Sequence, residues 1–115
     1  MAVRTFAAID VGSFELELGI YEMTYKTGIR RIDHVRHVIA LGKDTYSTGK
    51  ISYELVEEMC QVLEEFVQIM KSYKVKDYRA YATSAMREAH NRQIILDQIR
   101  VRTGLTVRII SNSEQ

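Results

Sequence analysis

The chain has 115 residues, about one small domain. Hydrophobic residues make up 46% and charged residues 27%, a globular balance that excludes a disordered tail. Sixteen Lys and Arg against fifteen Asp and Glu leave a formal charge of +1, which argues against a nucleic-acid partner. No apolar run approaches the roughly 18 residues of a membrane span. The run near Met1 is too short for a signal peptide. The lone Cys60 can close no internal disulfide, and no Cys/His set has zinc spacing. A reduced, cytoplasmic setting is expected.

Residues 4–10 form a short, nearly continuous apolar segment ending on Asp10, which predicts a buried strand followed by the turn Asp10-Val11-Gly12-Ser13. Over 15–23, Leu16, Leu18 and Ile20 alternate with Glu15, Glu17 and Tyr21, the period of a second strand. Tyr25 to Gly28 is a hairpin connection, with Gly28 free to take positive φ. A third strand is expected near 29–41, with Val35, His37, Ile39 and Leu41 on one face. Gly42 to Lys50 reads as a loop. Ser52 then caps a long helix reaching Tyr73, with an apolar stripe through Leu55, Met59, Val62, Phe66, Ile69 and Tyr73, widened by Val56, Leu63 and Met70.

Residues 77–83 predict a fourth strand and 84–88 a helical turn. Asn91 is expected to cap a helix to about residue 102, with Ile94, Ile95, Ile99 and Val101 as its apolar set and Gly104 as its stop. Leu105 to Ile110 is a fifth strand. The order β-β-β-α-β-α-β predicts an α/β mixed sheet: an antiparallel meander, then strands that arrive parallel after helices. Cys60 reads as core filler. His34 and His37, three apart in a strand, should face opposite sides, and these two and His90 read as structural.

Charge is segregated along the chain. Residues 51–73 carry five Glu against Lys71, and residues 74–108 carry eight Lys and Arg against Asp77, Glu88 and Asp97. Such runs are usually solvated helix faces; the other reading is a basic stretch that attracts a polyanion.

Three segments could carry chemistry. A carboxylate at a strand end followed by Gly and Ser, as in Asp10-Val11-Gly12-Ser13, suits a magnesium ion or a phosphate, with Asp10 as ligand to the metal, although a hairpin turn with no ligand is the alternative. In Tyr81-Ala82-Thr83-Ser84-Ala85-Met86-Arg87-Glu88-Ala89, a strand runs into a small-residue turn with Arg87 just beyond it. Arginine binds phosphate bidentately, although a plain pair with Glu88 is the alternative. The third, Ile109-Ile110-Ser111-Asn112-Ser113-Glu114-Gln115, is a strand end carrying one carboxylate, or an ordinary frayed terminus.

Taken together, A-A-I-D-x-G-S, L-G-K-D-x-x-x-T-G-K-I-S, Y-A-T-S-A-x-R-E-A-x-N-R and T-G-L-x-V-x-I-I-S resemble the exopolyphosphatase / guanosine pentaphosphate phosphohydrolase (Ppx/GppA) family, in order and across the whole chain. The resemblance implies a ribonuclease-H-like half-domain of the actin-like ATPase superfamily. It implies that residues 1–115 are the N-terminal subdomain of such a phosphatase, a fragment lacking the second lobe. It also implies magnesium-dependent release of terminal phosphate from polyphosphate or guanosine pentaphosphate, and leaves room for a homodimer of the full-length protein. Carried over by position, Asp10, Gly12, Ser13 and Arg87 become phosphate-binding residues.

The chain also departs from the family pattern. Phe14 and Glu15 stand where the family has Asn and Ser, Glu17 where it has an arginine, and Ala40 where it often has another. A Glu 4 Å from a phosphate charge costs about 4 kcal/mol at an effective dielectric near 20. Ungapped, Gln115 occupies the position of the family's catalytic Glu, and an amide is no general base. A one-residue slip would bring Glu114 there instead. The alternative to the phosphohydrolase is therefore a non-catalytic relative that binds phosphate ligands or a protein partner.

Overall fold

The alternation of apolar residues builds a sheet with one covered face. The structure, a computed structural model, describes residues 3–111. Strands β1 (Arg4–Val11), β2 (Glu15–Thr24) and β3 (Gly28–Val38) form the expected antiparallel meander. Strand β4 (Asp77–Ala82) pairs parallel to β1, and β5 (Arg108–Ile109) pairs parallel to β4, giving the order β3-β2-β1-β4-β5. The hairpin between β2 and β3 turns on Gly28 at φ +71°, a conformation that needs no Cβ.

Ala7, Ile9 and Val11 of β1, Leu16, Leu18 and Ile20 of β2, and Ala80 and Ala82 of β4 are all buried. Against them lies helix α2 (Tyr53–Ser72), which buries Val56, Met59, Cys60, Val62, Leu63, Phe66 and Met70. Ser52 caps it, its Oγ accepting from the Leu55 N–H at 3.3 Å. The predicted stripe is rotated slightly: Leu55, Ile69 and Tyr73 are only half-buried, while Cys60 is fully buried. That burial pushes the Cys60 thiol above its ordinary value, the opposite of an activated nucleophile.

Five expectations are corrected. Residues 42–50 are largely helical, as α1 (Leu41–Thr48). The segment has no apolar period, and its helix is held by tertiary contacts. Thr45 Oγ1 donates to the Ala85 carbonyl at 2.9 Å, and Gly49 closes the helix at φ +81°. Consequently β3 stops at Val38, and Ile39 and Leu41 are buried without being strand. Helix α4 (Arg92–Thr103) follows Asn91, but the Asn91 side chain caps nothing. It accepts from Ile51 N–H at 3.2 Å and donates to Ile51 C=O at 3.0 Å, tying α4 to the start of α2. Of the four apolar residues expected on α4, Ile95 and Ile99 are buried, whereas Ile94 and Val101 are exposed. Strand β5 is two residues long, and Leu105 and Val107 are buried ahead of it.

The segregated charges meet each other. Arg102 of α4 bridges Glu57 and Glu64 of α2, at 2.6 Å to each. The acidic and basic runs thus face one another across the two helices in part, rather than presenting a single polyanion surface.

Candidate functional site

The motifs converge where β1 and β4 end. Parallel pairing places Asp10 beside Tyr81, and the Thr83 N–H donates to Val11 C=O at 3.2 Å, carrying the ladder into the turn after β4. Helix α3 (Ser84–Glu88) starts there. Two segments 71 residues apart are in contact: Ser13 Oγ lies 3.1 Å from Ser84 Oγ. Helix α1 closes the third side. Gly42 N–H donates to Ser13 C=O at 2.7 Å, and Tyr46 OH reaches Ser13 Oγ at 3.2 Å and also bonds Ser84 Oγ. Tyr46 has no sequence signal, because its position depends on a helix that periodicity does not reveal.

Gly12 makes the turn possible. A Cβ there would lie 3.1 Å from the Glu15 carbonyl, which also accepts the Gly12 N–H at 2.9 Å. That N–H is therefore engaged within the turn, and the contribution of Gly12 is close backbone approach.

The face of the sheet opposite α2 carries an open cavity of about 490 Å³, with Asp10, Glu17, Tyr21, His34 and Tyr81 among its walls. Its floor is the small pair Ala8 and Gly19, which are register partners. The Tyr21 ring lies over Gly19, where a Cβ would come within 2.8 Å of it, and stacks on Phe6 with centroids 5.3 Å apart. Asp10 and Glu17 are cross-strand partners. Solvent reaches Asp10, yet its carboxyl is pushed above the ordinary value, first by partial burial and then by the Glu17 charge. Glu17 is held below its ordinary value, first by hydrogen bonding with Glu15 and then by the His34 bond at 2.9 Å.

The two unexpected glutamates therefore come with partners. Glu15 pairs with Arg36 and Glu17 with His34, both on β3. His37 faces the other way, bonding Glu58 of α2 at 2.9 Å, so the two histidines do lie on opposite faces. The His90 N–H donates to Gly49 C=O at 2.7 Å.

Arg87 is mostly buried. Its Nη1 donates to the Ile110 carbonyl at 2.7 Å, and its Nε lies 3.6 Å from Glu88. Ile110 itself lines the cavity, so Arg87 is tied to one of its wall residues. Glu114 and Gln115 lie outside the described residues. Among the described residues, no cluster of three His, Cys, Asp or Glu side chains could hold a metal ion.

A five-stranded mixed sheet with an Asp-x-Gly-Ser turn after its first strand and a hydroxyl-rich turn after the adjacent parallel strand defines a half-domain of the ribonuclease-H-like, actin-like ATPase type. Its sequence matches the profile of the Ppx/GppA phosphatase family over residues 20–115, and the chain belongs to that family. The crystal structure of the Aquifex aeolicus Ppx/GppA family member superposes with a TM-score of 0.94 at 28% identity, covering 98% of this chain and 37% of that one. Exopolyphosphatase 1 of Mycobacterium leprae is 27% identical over 108 residues, 93% of this chain and 32% of the relative. The Mycobacterium tuberculosis protein of the same name is 25% identical over 107 residues, 93% of this chain and 31% of its own length. The chain thus spans about a third of the length of the curated relatives it matches. Among the described residues, no helix is long and apolar enough to cross a membrane.

Proposed function

We propose that this chain is the phosphate-binding lobe of an exopolyphosphatase-like phosphohydrolase that releases terminal phosphate from polyphosphate or guanosine pentaphosphate. One observation carries the reading: the Asp10-Val11-Gly12-Ser13 turn and the Thr83-Ser84 turn meet at the ends of two parallel strands, hydroxyl to hydroxyl at 3.1 Å. Ligands of open α/β sheets bind at the carboxyl ends of such strands. In this reading Gly12 admits the phosphate, Ser13 donates to its oxygens, and Arg87, just past the Thr83-Ser84 turn, neutralises it.

Magnesium fits this site in one way. Mg²⁺ is commonly held by one or two carboxylates together with substrate phosphates and water, rather than by an all-protein cage. Asp10 offers one such carboxylate, and a cation beside it would relieve the repulsion from Glu17. The ion would neutralise charge on the phosphoryl group. The reading includes a cytoplasmic setting and, for the longer protein, a homodimer.

The test is calorimetric titration of the chain with polyphosphate in the presence of Mg²⁺. Arg87→Lys keeps the charge and loses the fork, and should weaken binding roughly tenfold. Equal binding by wild type and variant, or none by either, would overturn the assignment. A second reading, binding without turnover, is favoured by Gln115 at the position of the family's catalytic Glu. It predicts that the longer protein binds polyphosphate but releases no phosphate, and that Gln115→Glu alone does not restore release. Ordinary turnover by the wild-type protein would remove this second reading and make Glu114 the first candidate for the base.

A further inference from the structure

We propose that Tyr46 is an internal competitor for the phosphate site: its phenol occupies the hydroxyls of Ser13 and Ser84 and has to be displaced when a phosphate binds. The inference rests on the reading of Ser13 as a phosphate-binding residue. Ser13 Oγ lies 3.1 Å from Ser84 Oγ and 3.2 Å from Tyr46 OH, and Tyr46 OH closes the third side to Ser84 Oγ. A hydroxyl has one proton to donate. Three hydroxyls joined by three contacts use three protons, each group donating to the next. A closed ring of this kind keeps no proton for an outside acceptor. Fully ionised phosphate groups offer acceptor oxygens only, so they gain a bond from Ser13 or Ser84 only when the ring opens.

Tyr46 is the member that can leave. Ser13 is fixed through its backbone, its carbonyl accepting from Gly42 N–H, within a turn closed by the Gly12 to Glu15 bond. Ser84 is the first residue of α3. Tyr46 is a surface side chain, 56% exposed, so turning it into water uncovers little apolar area. Its place over the turn is set by Gly42, where a Cβ would come within 3.0 Å of both Ser13 Cβ and the Tyr46 ring. Departure of the phenol frees one serine proton, since the other serine still donates across the Ser13–Ser84 contact, and it opens a gap between two different elements. The ring thus satisfies these groups in the absence of ligand and opposes weak acceptors. A multiply charged oxyanion gains charge-assisted bonds strong enough to open it.

The probe is inorganic tripolyphosphate, titrated into the chain by calorimetry. Tyr46→Phe keeps the aromatic ring and removes the hydroxyl. It should bind tripolyphosphate about twofold to tenfold more tightly than wild type, the effect of one released hydrogen bond. Ser13→Ala should bind more weakly. A second measurement needs no ligand: a double-mutant cycle on unfolding with Tyr46→Phe and Ser84→Ala should be non-additive. Additivity would show that the ring is not formed and would overturn the proposal. Binding by wild type with equal or weaker binding by Tyr46→Phe would leave the phosphate reading standing and overturn this one. Coupling in the cycle with no tripolyphosphate binding by any form would mean that the phosphate reading has failed, and the proposal with it.

Discussion

Thr45→Val should destabilise the chain although it changes neither size nor shape. Thr45 is 4% exposed, and its hydroxyl donates to the Ala85 carbonyl at 2.9 Å. Ala85 sits in the short α3, where the N–H four residues on, that of Ala89, is directed to Met86 C=O instead. Without Thr45 the Ala85 carbonyl is left in a dry environment without that donor, which costs about 1–3 kcal/mol. A domain of this length is stable by roughly 6–17 kcal/mol, at 0.05–0.15 kcal/mol per residue. The loss is therefore measurable without being lethal, and corresponds to a fall in melting temperature of about 4–12 °C. Urea denaturation followed by far-UV circular dichroism should show a lower midpoint with an unchanged slope. The consequence extends to the site, because α1 carries Tyr46 and α3 carries Ser84. A Thr45→Val chain as stable as wild type would refute the view that this bond holds α1 in place of an apolar stripe.

Two further outcomes follow from the burial and charge pattern. Phe66→Asp should unfold the chain, since it removes a side chain worth about 1.5–3 kcal/mol and buries an unpaired carboxylate costing several more; Val101→Asp, at a position 80% exposed, should melt as wild type does. Asp10 has its folded value raised above 3.8, so its protonated form favours the fold below that pH and the advantage is lost as pH rises through the folded value. Asp10→Asn should therefore gain stability relative to wild type as pH climbs through that window, and a difference independent of pH would contradict the raised carboxyl.

The legible parts of this sequence are those whose signal is local or periodic. Alternation in β2 and the stripe on α2 follow from burial of one face, and burial is what the structure shows for Leu16, Leu18, Ile20, Met59 and Phe66. The Asp10 turn and the Ser84 turn were visible as motifs because they break periodic segments. Helix α1 was not visible. Its eight residues include one large aliphatic side chain, Leu41, and its helical state depends on Thr45 and Gly49 meeting residues 40 or so positions away. The hydroxyl ring shares that cause, since Tyr46 reaches Ser13 and Ser84 only once α1 is a helix. Asn91 shows the same limit in reverse. It has the right identity and place for a cap, but the Ile51 backbone lies close enough to take both ends of its amide.

The departures from the family pattern read differently once their neighbours are known. Counted alone, Glu15 and Glu17 put two negative charges beside the proposed phosphate site. The register of β2 with β3 brings Arg36 and His34 against them, so the anions arrive as pairs. The Glu15 pair joins a carboxylate to a guanidinium, and the Glu17 pair joins opposite charges only when His34 carries its proton. What remains is the juxtaposition of Glu17 and Asp10 across β1 and β2, which raises the Asp10 carboxyl further after partial burial has done so. Repulsion of a polyanion is thus concentrated at Asp10 and Glu17 rather than spread over the strand. A divalent cation between the phosphates and Asp10 would answer it at that one point. On the proposed reading, such a cation would offset the cross-strand carboxylate pair as well as the charge of the phosphate.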